Sequence, residues 1–99
     1  YIDLSGNALT GALPPNLGSL SNLAYLYLSA NKLTGTIPQA LGNITTLVEI
    51  YLDTNRFEGG IPDKLWQLPN LTILALGQNM LSGDIPFNFS SLSLQLLSL

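Results

Sequence analysis

Residues 25–48 read YLYLSANKLTGTIPQALGNITTLV, and the same frame recurs before and after them. Residues 1–24 are YIDLSGNALTGALPPNLGSLSNLA, residues 49–72 are EIYLDTNRFEGGIPDKLWQLPNLT, and residues 73–95 are ILALGQNMLSGDIPFNFSSLSLQ, followed by LLSL. Asn7, Asn31, Asn55 and Asn79 mark the phase at a constant spacing of 24. Self-similarity at a period of roughly 20 to 29 residues belongs to a solenoid, whose units cannot bury their apolar faces alone and stack to form a shared core. About four units and the start of a fifth are expected, as a single array over residues 1–99.

Within each unit the alternation of Ile2/Leu4, Leu26/Leu28, Ile50/Leu52 and Leu74/Leu76 with other residues predicts a short strand with one buried face. Stacking turns these strands into one parallel sheet. The asparagine that follows falls in a bend where a backbone ladder is not expected, and there its amide satisfies backbone groups of its own and the adjoining unit, so the column should form an asparagine ladder. The glycine and proline of the GxIP or GxLP segment then turn the chain away from the concave side. Leu17, Leu41, Leu65 and Phe89, each followed three residues later by another apolar side chain, predict short helical or 3₁₀ returns on the convex side. The last unit is one residue short, which predicts a slightly displaced fifth strand.

The frame LxxLxLxxNxLxGxIPxxLGxL, carried cleanly by Leu23 to Ile44, resembles the plant-type leucine-rich repeat of receptor-like kinase and receptor-like protein ectodomains. The resemblance covers essentially the whole chain. It implies an α/β-type solenoid: a right-handed leucine-rich repeat horseshoe or superhelix, with a short parallel sheet on the concave face and 3₁₀ or irregular returns on the convex face. It further implies an extracellular or secreted location, cysteine-bearing caps outside this stretch, and often a membrane helix and a kinase domain beyond them. The chain is thus expected to be an internal, uncapped piece of a longer protein. The partners implied are a peptide or protein ligand and a co-receptor ectodomain. A secreted inhibitor similar to the polygalacturonase-inhibiting proteins uses the same repeat and is the alternative. A structural or ice-binding role fits less well, because it needs a uniform column and Ser5, Ser29, Asp53 and Gly77 are mixed.

Composition removes other classes. With a net charge of −3 and only Lys32, Arg56 and Lys64 as cations, the chain has no basic stripe for nucleic acid. Its hydrophobic residues, 46% of the total, are interrupted too often for direct membrane insertion, which takes about 20 in succession. There is no His or Cys, no GxSxG and no phosphate-binding glycine loop, so neither catalysis nor a metal or other cofactor is expected. Strand geometry separates Asp3 from Asp53 by roughly 11 to 12 Å, wider than the about 5 to 9.5 Å of glycosidase carboxylate pairs.

Two groups of residues remain as candidate sites. Tyr25, Tyr27, Glu49, Tyr51 and Asp53 occupy outward strand positions and form a candidate ligand-binding patch of aromatic rings and carboxylates on the concave face. Tyrosine also suits strands for reasons unconnected with ligands, and that reading stands beside the first. The sequons at Asn43, Asn70 and Asn88 fall on the convex returns, where glycans would leave the concave face free. Trp66 is expected to pack over a neighbouring unit.

Overall fold

The computed structural model describes residues 1–83 and the backbone of Leu96–Ser98. Strands β1 (Ile2–Asp3), β3 (Tyr25–Tyr27), β5 (Glu49–Tyr51), β7 (Ile73–Ala75) and β9 (Leu96–Ser98) pair in that order as one parallel five-stranded sheet. Parallel neighbours require a long crossover, and each coil of the solenoid supplies it. Leu26 pairs with Ile50 and Ile50 with Leu74, a constant step of 24 residues. Leu74 then pairs with Leu97, a step of 23. The fifth strand therefore keeps its place in the sheet, contrary to the displacement expected from the shorter unit. Backbone pairing tolerates no half-step, so the shorter unit shows as a whole-residue change of step.

The backbone ladder does not end at the asparagine. Strands β2 (Thr10–Ala12) and β4 (Lys32–Thr34) form a second parallel pair, and β6 (Glu58–Gly59) and β8 (Met80–Leu81) a third. Their step is 22 residues, Gly11 lying beside Leu33 and Glu58 beside Met80. Thr36 and Glu58 bridge the two pairs. The expectation of a bend without a ladder is thus corrected: after the bend the chain is extended again, and its N–H groups find carbonyls of the preceding coil, as Arg56 N–H does with Leu33 at 2.8 Å. Gly35, at φ 78°, lets the chain leave this second strand.

Pro38 and Pro62 follow, and their carbonyls accept the N–H groups of Leu41 and Leu65 at 3.2 and 3.1 Å. Those bonds open the 3₁₀ turns Gln39–Asn43 and Asp63–Gln67; Pro15–Ser19 is the counterpart in the first coil. Leu41, Ile44 and Leu47, with Leu65, Leu68 and Leu71, point from these returns into the core, where each is at most 1% exposed. They meet Leu26, Ile50, Leu74 and Phe57 from the strand side. Burying a side chain of this size contributes about 1.5–3 kcal/mol, so the frame residues dominate the stability of the stack. In the first coil the same frame positions are open: Leu4, Leu9 and Leu20 are 46%, 38% and 39% exposed, because burial comes from neighbours on both sides. Trp66 is buried within the core cluster.

Candidate functional site

The asparagine amides fix one coil against the next. Asn55 Nδ2 donates to the carbonyls of Leu28, Leu52 and Asp53 at 2.9, 3.1 and 3.3 Å, while its Oδ1 accepts from Leu33 N–H at 3.1 Å. Two of those partners, Leu28 and Leu33, belong to the preceding coil. Asn31 and Asn79 make the equivalent sets of bonds. Asn7, exposed in the first coil, donates only to Leu4 and Ser5 of its own coil. The residue before each asparagine has positive φ: Gly6 at 68°, Ala30 at 57°, Thr54 at 56° and Gln78 at 54°. This left-handed step aims the amide inward between the two sheets and ends the concave strand.

The concave face is an ordered lattice of outward side chains. Register places Tyr25, Glu49 and Ile73 in one row across the strands and Asp3, Tyr27, Tyr51 and Ala75 in the next. Backbone bonds continue past the strand ends, with Gly6 N–H on Ser29 and Ala30 N–H on Asp53, so Ser5, Ser29, Asp53 and Gly77 make a third row. Columns are about 4.8 Å apart, which brings neighbouring side chains into contact.

Side-chain contacts join Tyr25, Tyr27, Glu49 and Tyr51 of the patch named from the sequence, and Asp53 is held beside them by Ser29. Tyr27 and Tyr51 meet edge to face, with ring centroids 5.0 Å apart and planes at 88°. Tyr25 stands 6.3 Å from Tyr27, and Tyr1 lies 5.4 Å from Tyr27 and 5.9 Å from Tyr25. The Tyr27 hydroxyl donates to the Glu49 carboxylate, and the Ser29 hydroxyl donates to Asp53. The charge accepting that bond, together with partial desolvation, pushes the Tyr27 phenol well above its ordinary pKa of 10.0. A shallow depression of about 230 Å³ opens between Ser5, Tyr27, Ser29 and Tyr51. Ser5 and Ser29 line this depression but stand outside the patch named from the sequence, which took only Asp53 from their row; Ser5 is the less obvious of the two. Alternation along each strand together with the 24-residue step was the signal that could have found it.

The convex candidates are spread along the returns. Asn43, exposed at the end of its 3₁₀ turn, accepts from Lys64 Nζ at 3.2 Å. Asn70, also exposed, donates to the carbonyl of Thr45, the third residue of the Asn43 sequon. Asn88 lies outside the described residues. Among the described residues no cluster of His, Cys, Asp or Glu could hold a metal ion, and no helix is long and apolar enough to cross a membrane.

A stack of short parallel strands with an amide ladder and an outward lattice of aromatic and acidic groups is a repeat solenoid. The chain belongs to the leucine-rich repeat family: one family description, leucine rich repeat, matches residues 1–57, and a second of the same description matches residues 70–92. Its repeat is similar to that of plant receptor kinase ectodomains. The structure of the Arabidopsis receptor kinase HAESA in complex with the peptide hormone IDA and the co-receptor SERK1 is similar at 36% identity with a TM-score of 0.96, over 99% of this chain and 17% of that one. A chain of the BIR3–SERK2 complex from Arabidopsis thaliana is 43% identical with a TM-score of 0.83, over 86% and 46% of the two chains. The ectodomain of the Arabidopsis thaliana receptor kinase GASSHO1/SCHENGEN3, in complex with CASPARIAN STRIP INTEGRITY FACTOR 2, is 39% identical with a TM-score of 0.83, over 86% and 10%. The chain thus spans less than half the length of each of these relatives. No curated protein sequence matches it.

Proposed function

We propose that this chain is a stretch of the recognition surface of a plant cell-surface receptor ectodomain, lying outside the cell and binding an extended peptide or protein on its concave face without catalysis. One observation carries this reading: Tyr25, Tyr27, Glu49, Tyr51 and Asp53 share adjoining rows of a rigid parallel sheet and are linked through Tyr27–Glu49 and Ser29–Asp53. Side chains already held by one another lose little entropy when a ligand arrives, so their contacts are retained as affinity. Likeness to a receptor kinase ectodomain solved with a peptide hormone and a co-receptor supports the receptor over the secreted inhibitor, and supports a co-receptor ectodomain as a second partner. Glycans on Asn43 and Asn70 would sit on the convex side and keep the concave face clear.

The test is selection of a random linear dodecapeptide library on the immobilised chain and on a Tyr27→Ala/Tyr51→Ala variant whose far-UV circular dichroism matches the parent. Peptides that bind the parent and are lost on the variant are expected. Capture that the double substitution leaves unchanged would make the tyrosines ordinary strand surface.

A further inference from the structure

We infer that the depression between Tyr27 and Tyr51 seats a cationic side chain, arginine above all, of an extended peptide that crosses the concave sheet; the inference rests on the peptide-binding reading of that face. The first support is charge. The outward positions of the first four concave strands hold Asp3, Glu49 and Asp53 and no Lys or Arg. Of the cations, Lys32 and Arg56 follow the asparagine column and Lys64 lies in a convex turn.

Neutral groups, not cations, hold these carboxylates in place. Among the described residues Asp3 accepts from Ser5 N–H, Glu49 from the Tyr27 hydroxyl, and Asp53 from the hydroxyls of Ser29 and Thr54. Neutral donors orient a carboxylate and leave its charge uncancelled, and each oxygen keeps a second lone pair for a further donor. The negative potential of the face is therefore available to an incoming group.

Aromatic geometry supplies the second support. A cation within about 6 Å of a tyrosine ring is attracted to its face, and a phenol polarised by donation to a carboxylate carries a more electron-rich ring. A guanidinium is planar, stacks on such rings and reaches a carboxylate with two parallel N–H groups, which an ammonium cannot do. The about 230 Å³ depression takes one such side chain, and Asp53 is bonded to its Ser29 wall. The next column, Ile73, Ala75 and Gly77, carries no charge, so the peptide residues beside the cation are expected to be apolar or small.

The dodecapeptide selection decides this with a second readout. Tyrosine-dependent peptides are expected to carry Arg or Lys above the library frequency, and replacing that Arg by citrulline, of the same shape without the charge, is expected to weaken binding about tenfold. Asp53→Asn in the chain should reduce the preference for Arg over citrulline while leaving circular dichroism unchanged. Tyrosine-dependent peptides without Arg or Lys enrichment, or citrulline analogues that bind equally well, would overturn the cation seat and leave the concave reading standing. A library with no tyrosine-dependent binders would overturn both.

Discussion

Tyr27 on the second strand of the concave sheet donates its hydroxyl hydrogen to the Glu49 carboxylate on the third, so a polar bond spans two coils on the face that is free to meet a ligand. The bond exists only while the phenol keeps its proton. Its pKa is raised above 10.0, first by this bond and then by partial desolvation.

Alkaline titration followed by absorbance at 295 nm should therefore show a step above pH 10.0 that belongs to Tyr27. Tyr27→Phe should remove that step, and Glu49→Gln should bring it to lower pH. The folded chain holds this proton where the unfolded chain has lost it, so the contribution to stability is complete below pH 10.0 and declines as pH rises through the raised folded value. Urea unfolding measured at two pH values above 10 should show that decline in the parent and less of it in Glu49→Gln.

The asparagine column should be sensitive to its position in the stack. Asn55→Ala removes the partner of carbonyls in two coils and of the Leu33 N–H, all in buried surroundings. Each buried group left unsatisfied costs about 1–3 kcal/mol, and with partial relaxation the loss is expected at about 2–4 kcal/mol in urea unfolding. Asn7→Ala, exposed and bonded only within its own coil, should cost less than about 1 kcal/mol. Equal losses at the two sites would contradict the inter-coil role of the amide.

On the convex side, coil spacing depends on Gly42. A Cβ there would stand 2.2 Å from Lys64 Cβ and 3.0 Å from its carbonyl carbon. Gly42→Ala is expected to push the third return away and cost about 1–3 kcal/mol. Gly60→Ala, whose Cβ would meet nothing closer than Ser82 O at 3.9 Å, should be near neutral in the same thermal or urea melt.

Ala30 offers the opposite sign. Its φ of 57° costs an L-residue about 1–2 kcal/mol, whereas glycine adopts it freely and gives back only part of the gain through unfolded-state entropy. Ala30→Gly is expected to raise stability by up to about 1 kcal/mol, and Ala40→Gly, within a 3₁₀ turn, to lower it. A loss at position 30 would mean that the methyl group contributes more packing than its conformation costs.

Much of this was legible in the residues. The alternation of Leu26 and Leu28 with Tyr25 and Tyr27 separates core from surface, because strand side chains have a period of two, and the constant step between asparagines aligns those faces from coil to coil. Less legible was the second row of strands after the asparagine. Lys32–Thr34 and Thr10–Ala12 carry no apolar alternation of their own and become a ladder only because a neighbouring coil lies beside them. The left-handed step at Ala30, Thr54 and Gln78 was hidden for a related reason: none of these residues announces positive φ, and the amide bonds of the following asparagine impose it.

The sequence by itself determined the period, the buried frame and the residues that share the outward face, because those follow from local pattern repeated in phase. Only the tertiary structure decided who touches whom across coils: a second ladder at a step of 22, a fifth strand held in register at 23, Tyr27 on Glu49 and Ser29 on Asp53. A repeat specifies one coil from its own residues. The contacts between coils depend on how the backbones settle against each other, and no single unit contains that information.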